Sequence, residues 1–297
     1  MIRPFFPRLA SLTCSSLLLI VGLFWLTPPA FSSDKFVPEP KATFTNADAS
    51  AWEQVELLED PHPGFVTENY SSGGKQLDPW IVKWFQDNPT PPSGQFLLHC
   101  AKGFMGKTFP HPILLVHGAS DNANRAWIHP WNLALPNPLP LEKQGFAFWL
   151  SELGYSVFAI TFAHNQGDNF MQAEHIANAI TRIRHLLGKD GDPKFKVDII
   201  AHSKGNVAAQ LYLSDAPAMF PKKEFFSPFR KDVGVYLGLA PAFRGIDTAF
   251  RYYGFNLQIA DKSDSNAPLA TNRMVFKGTW ADFTPKTLFR DSARLWP

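Results

Sequence analysis

The sequence is nearly devoid of cysteine: Cys14 and Cys100 are the only two. Cys14 lies in a segment expected to be removed on export, which leaves one thiol and no internal disulfide. Cys100 is expected to be a buried apolar residue, not a nucleophile. An excess of either charge is also missing. The chain carries 28 basic against 26 acidic residues, and setting aside Arg3 and Arg8 leaves 26 against 26. That balance excludes the electrostatic footprint of a nucleic-acid-binding protein. No internal repeat or low-complexity tract is visible. Neither Glu174 with His175 nor His111 with His117 belongs to a convincing metal-ligand set, and no cofactor is expected.

Long apolar runs are equally scarce. The longest, Leu12 to Leu26, follows Arg3 and Arg8 and is short for a full membrane span. Ala30-Phe31-Ser32 then supplies small residues at the spacing that signal peptidase reads. Residues 1–32 are therefore expected to be a signal peptide directing the chain to the periplasm or the exterior. The alternative is an uncleaved anchor formed by residues 12–26.

What the sequence does have is proline, aromatic rings and, from residue 111, regular punctuation. Residues 33–110 are rich in proline and glycine and read as an N-terminal extension packed on the core. Within it Ala49 to Leu58 and Trp80 to Phe85 are expected to be short helices, with Trp52, Trp80, Trp84 and Phe85 turned to the core. Residues 111–297 read as a single α/β domain. Ile113–Val116, Ser156–Phe162, Phe195–Ala201 and Val233–Leu239 are apolar runs suited to strands buried on both faces. Between them Phe146, Trp149, Leu150 and Leu153, then Ile176, Ile180, Ile183 and Leu187, recur at helical spacing and stop at Gly154 and Gly188. Strands alternating with helices predict a doubly wound, mostly parallel sheet.

The chemistry concentrates at one strand end. The run Val197 to Asn206 is an apolar strand that breaks into Ala201-His202-Ser203-Lys204-Gly205. This is the pattern of a nucleophile elbow, with Ala201 in place of the usual first glycine. The residues two before and two after the serine must be small so that strand and helix can approach. Upstream, Leu114-Leu115-Val116-His117-Gly118-Ala119 offers the second part of an acyl-transfer site. The backbone amides of Ala119 and Lys204 are the expected oxyanion donors. His117 and His202 are expected to shape the loops, and Asp121 and Asn122 to cap or brace them.

His117 to Ala123 with Trp127, Gly154 to Val157, and Val197 to Asn206 together resemble the class 2 lipases and the related extracellular polyhydroxyalkanoate depolymerases. Gly238 to Gly245 resembles the loop those enzymes carry after the next strand. The resemblance implies the α/β-hydrolase fold. It also implies a serine carboxylic ester hydrolase working through an acyl-enzyme on Ser203, with a lipid or polyester as substrate and a lipid surface or membrane as a contact. Lys204 departs from the apolar residue common in that family, and its cation is expected at the mouth of the site. Ala249 to Phe255, rich in rings, is expected either to cover an acyl pocket or to tuck into the core.

One component has no counterpart. The superfamily order is serine, acid, histidine, yet all nine histidines stand at or before position 202. Asp261, Asp264 and Asp282 do not align with the family's acid, and Phe289 to Arg294 resembles the segment just ahead of the strand that delivers it. The sheet is therefore expected to lack its last strands. Three accounts compete. The favoured one is a truncated, inactive reading of a longer enzyme. The second is a non-catalytic pseudoenzyme that binds lipid or ester ligands. The third makes His164, at the end of the second strand, the substitute base.

Overall fold

A computed structural model describes residues 38–45, 52–60, 75–128, 145–164, 167, 169–214 and 227–241. All fall in one unit that begins at Val37. Among the described residues seven strands form its sheet: β1 (Ala42–Thr45), β2 (Trp52–Glu59), β3 (Gln95–Ala101), β4 (Ile113–Val116), β5 (Val157–Phe162), β6 (Val197–His202) and β7 (Val233–Leu239). Their order is β1-β2-β3-β5-β4-β6-β7. The strands from β5 to β7 pair in parallel, whereas β1, β2, β3 and β5 pair antiparallel in succession.

Side-chain alternation divides the core into two layers. Leu114, Val116, Phe158, Ile160, Val197 and Ile199 face one side, where they meet α3 (Asn169–Leu186) and α4 (Gly205–Leu213). Ile113, Leu115, Val157, Ala159 and Ile200 face the other, where α1 (Pro79–Trp84) and α2 (Gly145–Glu152) pack. This period of two, with both faces apolar, is why the central strands read as unbroken hydrophobic runs. The chain leaves β4 for β5 on one side and returns to β6 on the other. That reversal makes the carboxyl ends of β4 and β6 a topological switch point, where open α/β sheets place their ligands.

Two differences from the sequence reading have physical causes. Residues 52–59 form a strand, not part of a helix over 49–58. Val55 and Leu57 face the α1–α2 layer and Leu58 the other, but Glu56, also buried, interrupts the apolar alternation. Pairing with β1 and β3 overrides the helix propensity of this stretch. The stretch before Pro110 thus does more than cover the domain, since it supplies three strands. Helix α1 forms where expected, capped by the Asp78 carboxylate, which accepts from the amides of Trp80 and Ile81. In α2 the ring-bearing face is not the buried one. Ala147, Leu150 and Ser151 meet the sheet, while Phe146, Trp149 and Leu153 stay exposed.

Candidate active site

Ser203 is the first residue beyond β6 and has φ 50°, in the left-handed region that costs a non-glycine residue energy. The surrounding structure supplies that energy through a bonded bracket. The Ser203 amide donates to the Leu239 carbonyl at 3.0 Å. The Asn206 side-chain amide donates to the carbonyls of Ser203 and Leu239, each at 3.0 Å. Tyr236, whose phenol burial keeps protonated, donates to the Asn206 Oδ1 at 2.7 Å. The end of β7 thereby fixes the turn from one side.

On the other side the small residues have steric roles. A Cβ on Gly205 would lie 2.4 Å from the His117 carbonyl oxygen, and one on Gly118 would lie 2.9 Å from the Ser203 Cβ. Both distances are closer than real carbon atoms approach. Only glycine lets α4 start against the end of β4, and only glycine lets the 118–123 loop lie beside the serine. Ala201 is fully buried.

His117 holds the loop. Its Nε2 accepts from the Phe162 amide at 3.2 Å, so its proton sits on Nδ1, which donates to the Gly118 carbonyl at 2.7 Å. Burial above all lowers its pKa to about 4. With its acceptor nitrogen occupied, His117 cannot take a proton from Ser203. The loop is braced further along as the sequence suggested: Asp121 accepts from the Asn122 amide and Asn122 Oδ1 from the Arg125 amide, each at 3.0 Å. Ser120 turns the chain at φ 55°. Ala119, half-buried, stands between that turn and Gly118.

A supporting network was not legible beforehand. The Ala123 amide donates to Thr161 Oγ1 at 3.0 Å, and that oxygen also meets His99 Nε2 at 2.9 Å. Trp52 Nε1 donates to Asn124 Oδ1 at 2.9 Å, and Asn124 Nδ2 to Asp78 Oδ2 at 3.2 Å. The N-terminal strands and α1 thus reach the loop that follows β4. The only sequence signal was the polar Thr161 and His99 inside otherwise apolar strands.

Lys204 is where the sequence reading needs correction. Its cation is not at the mouth: the residue is 1 % exposed. Its Nζ donates to the Gly167 carbonyl at 2.7 Å and to Gln172 Oε1 at 2.6 Å. His164, also buried, ends the β5 strand region at the same sheet end, and its carbonyl accepts from the Gly167 amide and from Gln172 Nε2. Glu174 accepts from the amide and hydroxyl of Ser227, and His175 stacks on Phe96. His111 pairs with Asp198, away from His117. Among the described residues no cluster of three or more His, Cys, Asp or Glu is arranged to hold a metal. Residues 1–32, Ala249 to Phe255, Asp261, Asp264, Asp282 and Phe289 to Arg294 lie outside the described residues.

The family model described as lipase (class 2) matches residues 110–264, just over half of the chain. The chain belongs to the class 2 lipase family. Its elbow, its His-Gly loop and the switch point all fall within the matched span, and the sheet order is that of an α/β-hydrolase. No curated protein matches the chain by sequence. Solved structures similar to this lipase-family chain include a Bacillus licheniformis lipase in mature form, at 19% identity over 60% of this chain and 56% of that one, with TM-score 0.32. Esterase B from Lactobacillus rhamnosis aligns at 14% identity over 78% of this chain and 64% of its own, with TM-score 0.37. For Aspergillus fumigatus lipase B the values are 16%, 71% and 37%, with TM-score 0.31. The chain spans less than two thirds of the length of each of these three proteins.

Proposed function

We propose that this chain is a serine carboxylic ester hydrolase of the lipase or polyester depolymerase type, with Ser203 as its nucleophile. The observation that carries the reading is Ser203 itself, held at φ 50° on the strand-to-helix turn with Gly118 against its Cβ. Strained backbone held in place by its neighbours clusters at functional sites. In this reading the Ser203 hydroxyl attacks the ester carbonyl, the C–O bond to the alcohol breaks, the alcohol departs with the proton taken from the serine, and an acyl-enzyme remains. The backbone amides of Ala119 and Lys204 receive the oxyanion, and water then releases the acid. A base must take the serine proton. Family order puts that base after the serine, and the upstream candidate is His164. The chain is exported, with a mature N-terminus near Ser33, and meets its lipid or polyester substrate outside the cytoplasm.

A fluorophosphonate probe tests the nucleophile without requiring turnover. Where the folded chain holds a base, the expected outcome is a single label on Ser203, lost in Ser203→Ala. A label that persists in the alanine variant removes Ser203 from the mechanism. A folded chain that takes no label, yet binds a non-hydrolysable ester, is a binding module instead. Labelling abolished by His164→Ala, with the fold retained, would assign the base. N-terminal sequencing of exported protein that starts at Met1 would replace the cleaved signal by an anchor.

A further inference from the structure

The lysine that follows the serine is buried at the least expected place for an ammonium, inside the turn that carries the chemistry. An ammonium is stable there only when acceptors surround it. Two are in place at 2.6 and 2.7 Å, distances typical of charge-assisted bonds. One is the Gly167 carbonyl and the other the Gln172 side chain near the start of α3. Gly167 lies in the connection between β5 and α3 and Gln172 in the first turn of α3, both remote from the elbow in sequence. Gly167 and Gln172 are in turn bonded to the His164 carbonyl. The elbow is thus held from three directions: by Asn206 and Leu239 toward β7, by Gly118 and Gly205 against β4, and by the Lys204 side chain toward β5. Its charge is also one of those that disfavour protonation of His117, just past β4.

We propose that Lys204 is a positioning residue for the oxyanion-binding turn: its side chain, tethered to Gly167 and Gln172, fixes the turn whose amide the same residue provides. This rests on the reading of Ser203 as the nucleophile. The physical basis is twofold. A donor that cannot swing needs no reorganisation when negative charge develops. A cation held out of water also acts on charge around it more strongly than a solvated one does. An apolar residue of similar length fills the same volume and supplies neither effect.

The experiment measures fluorophosphonate inactivation of the full chain, resolving the binding constant KI from the maximal rate kinact. In Lys204→Met kinact is expected to fall about tenfold to a hundredfold, short of the full loss of an oxyanion donor. KI and the melting temperature stay near those of the parent. Gln172→Leu, which leaves Lys204 in place and removes one acceptor, shows a smaller fall in the same direction. It carries the comparison if Lys204→Met does not fold. An unchanged kinact in the folded variants overturns the proposal. If the parent chain takes no label, what fails is the Ser203 reading or its base and not the tether, and amide exchange across residues 203–206 then decides the tether. Faster exchange in both variants upholds it, and unchanged exchange overturns it.

Discussion

At Gly118 and Gly205 a single hydrogen in place of a methyl decides whether the turn at Ser203 can form. The 2.9 Å from a Gly118 Cβ to the Ser203 Cβ forces one of the two backbones to move. Gly118→Ala should therefore keep the fold and abolish labelling of Ser203, read by probe rate against circular dichroism. Gly205→Ala meets carbonyl oxygens at 2.4 and 2.9 Å and has nowhere to shift. It should destabilise the chain by about 1–3 kcal/mol or more, seen as a lower urea midpoint. The motif was readable because this steric demand is written in residue size. The Lys204 tether was not, because a long cation can turn outward or inward and only packing decides. A second consequence of burial concerns pH. Burial lowers His117 to about 4, and lowers His99 and His175 to about 3. In the unfolded chain these rings protonate near 6.5, so their neutral burial stabilises the fold fully above that pH. The contribution is lost as pH falls from 6.5 through the folded values. For His117 the gap is worth about 3 kcal/mol. Urea midpoints should drop between pH 6.5 and 4, and less steeply in His117→Gln. A flat midpoint across that window would mean the three rings are not held neutral.

Among the elements, β4 to β7 were legible and β2 was not. Strands β4 to β6 are apolar and buried on both faces, so their runs carry no ambiguity of period. Strand β7 forms where its run predicted, but it ends the described strand order and is not buried on both faces, with Val235 and Leu237 exposed. Strand β2 has a buried Glu56 where the pattern calls for an apolar residue. The reason lies in α3: Arg182 Nε and Nη2 each donate to the Glu56 carboxylate at 2.8 Å. No local signal in residues 52–59 announces a partner that is far away in sequence. The ring-bearing face of α2 misleads for a related reason. Its small residues approach the sheet closely, which leaves Trp149 outside. The Glu56–Arg182 pair gives a direct test of what holds β2 to α3. Removing one partner strands a buried charge, so Glu56→Leu or Arg182→Leu alone should cost about 3–5 kcal/mol. The double variant should recover most of that loss. Equal destabilisation by the singles and the double would show that packing, not the ion pair, joins the two elements.

For the molecule as a whole, the family match and the fold begin at different places. The match starts at residue 110, which suggests that the preceding stretch is dispensable. The sheet says otherwise, because β3 pairs with β5 along Phe96 to Cys100 and β2 pairs with β3 in turn. Among the described residues between Trp52 and Phe104, twelve apolar side chains larger than alanine are buried, proline aside. At about 1.5–3 kcal/mol each, their removal forfeits on the order of 20 kcal/mol, even allowing that extended-chain areas overstate burial. Domains of this kind have roughly 5–15 kcal/mol in total. Deletion would also uncover an edge of β5 that lies at the centre of the sheet, an invitation to pair with other chains. It would strip Thr161 of its contact with His99 and Asn124 of its contact with Trp52 and Asp78, loosening the loop beside Ser203. A chain beginning at His111 should therefore fail to fold: insoluble on expression, with no cooperative melt and no Ser203 label even where the longer chain gives one. Supplying residues 38–110 as a separate segment should restore part of the soluble yield, since the lost contacts are packing and strand pairing. A soluble, cooperatively melting chain from His111 onward would show instead that the first three strands only cover a domain able to stand without them.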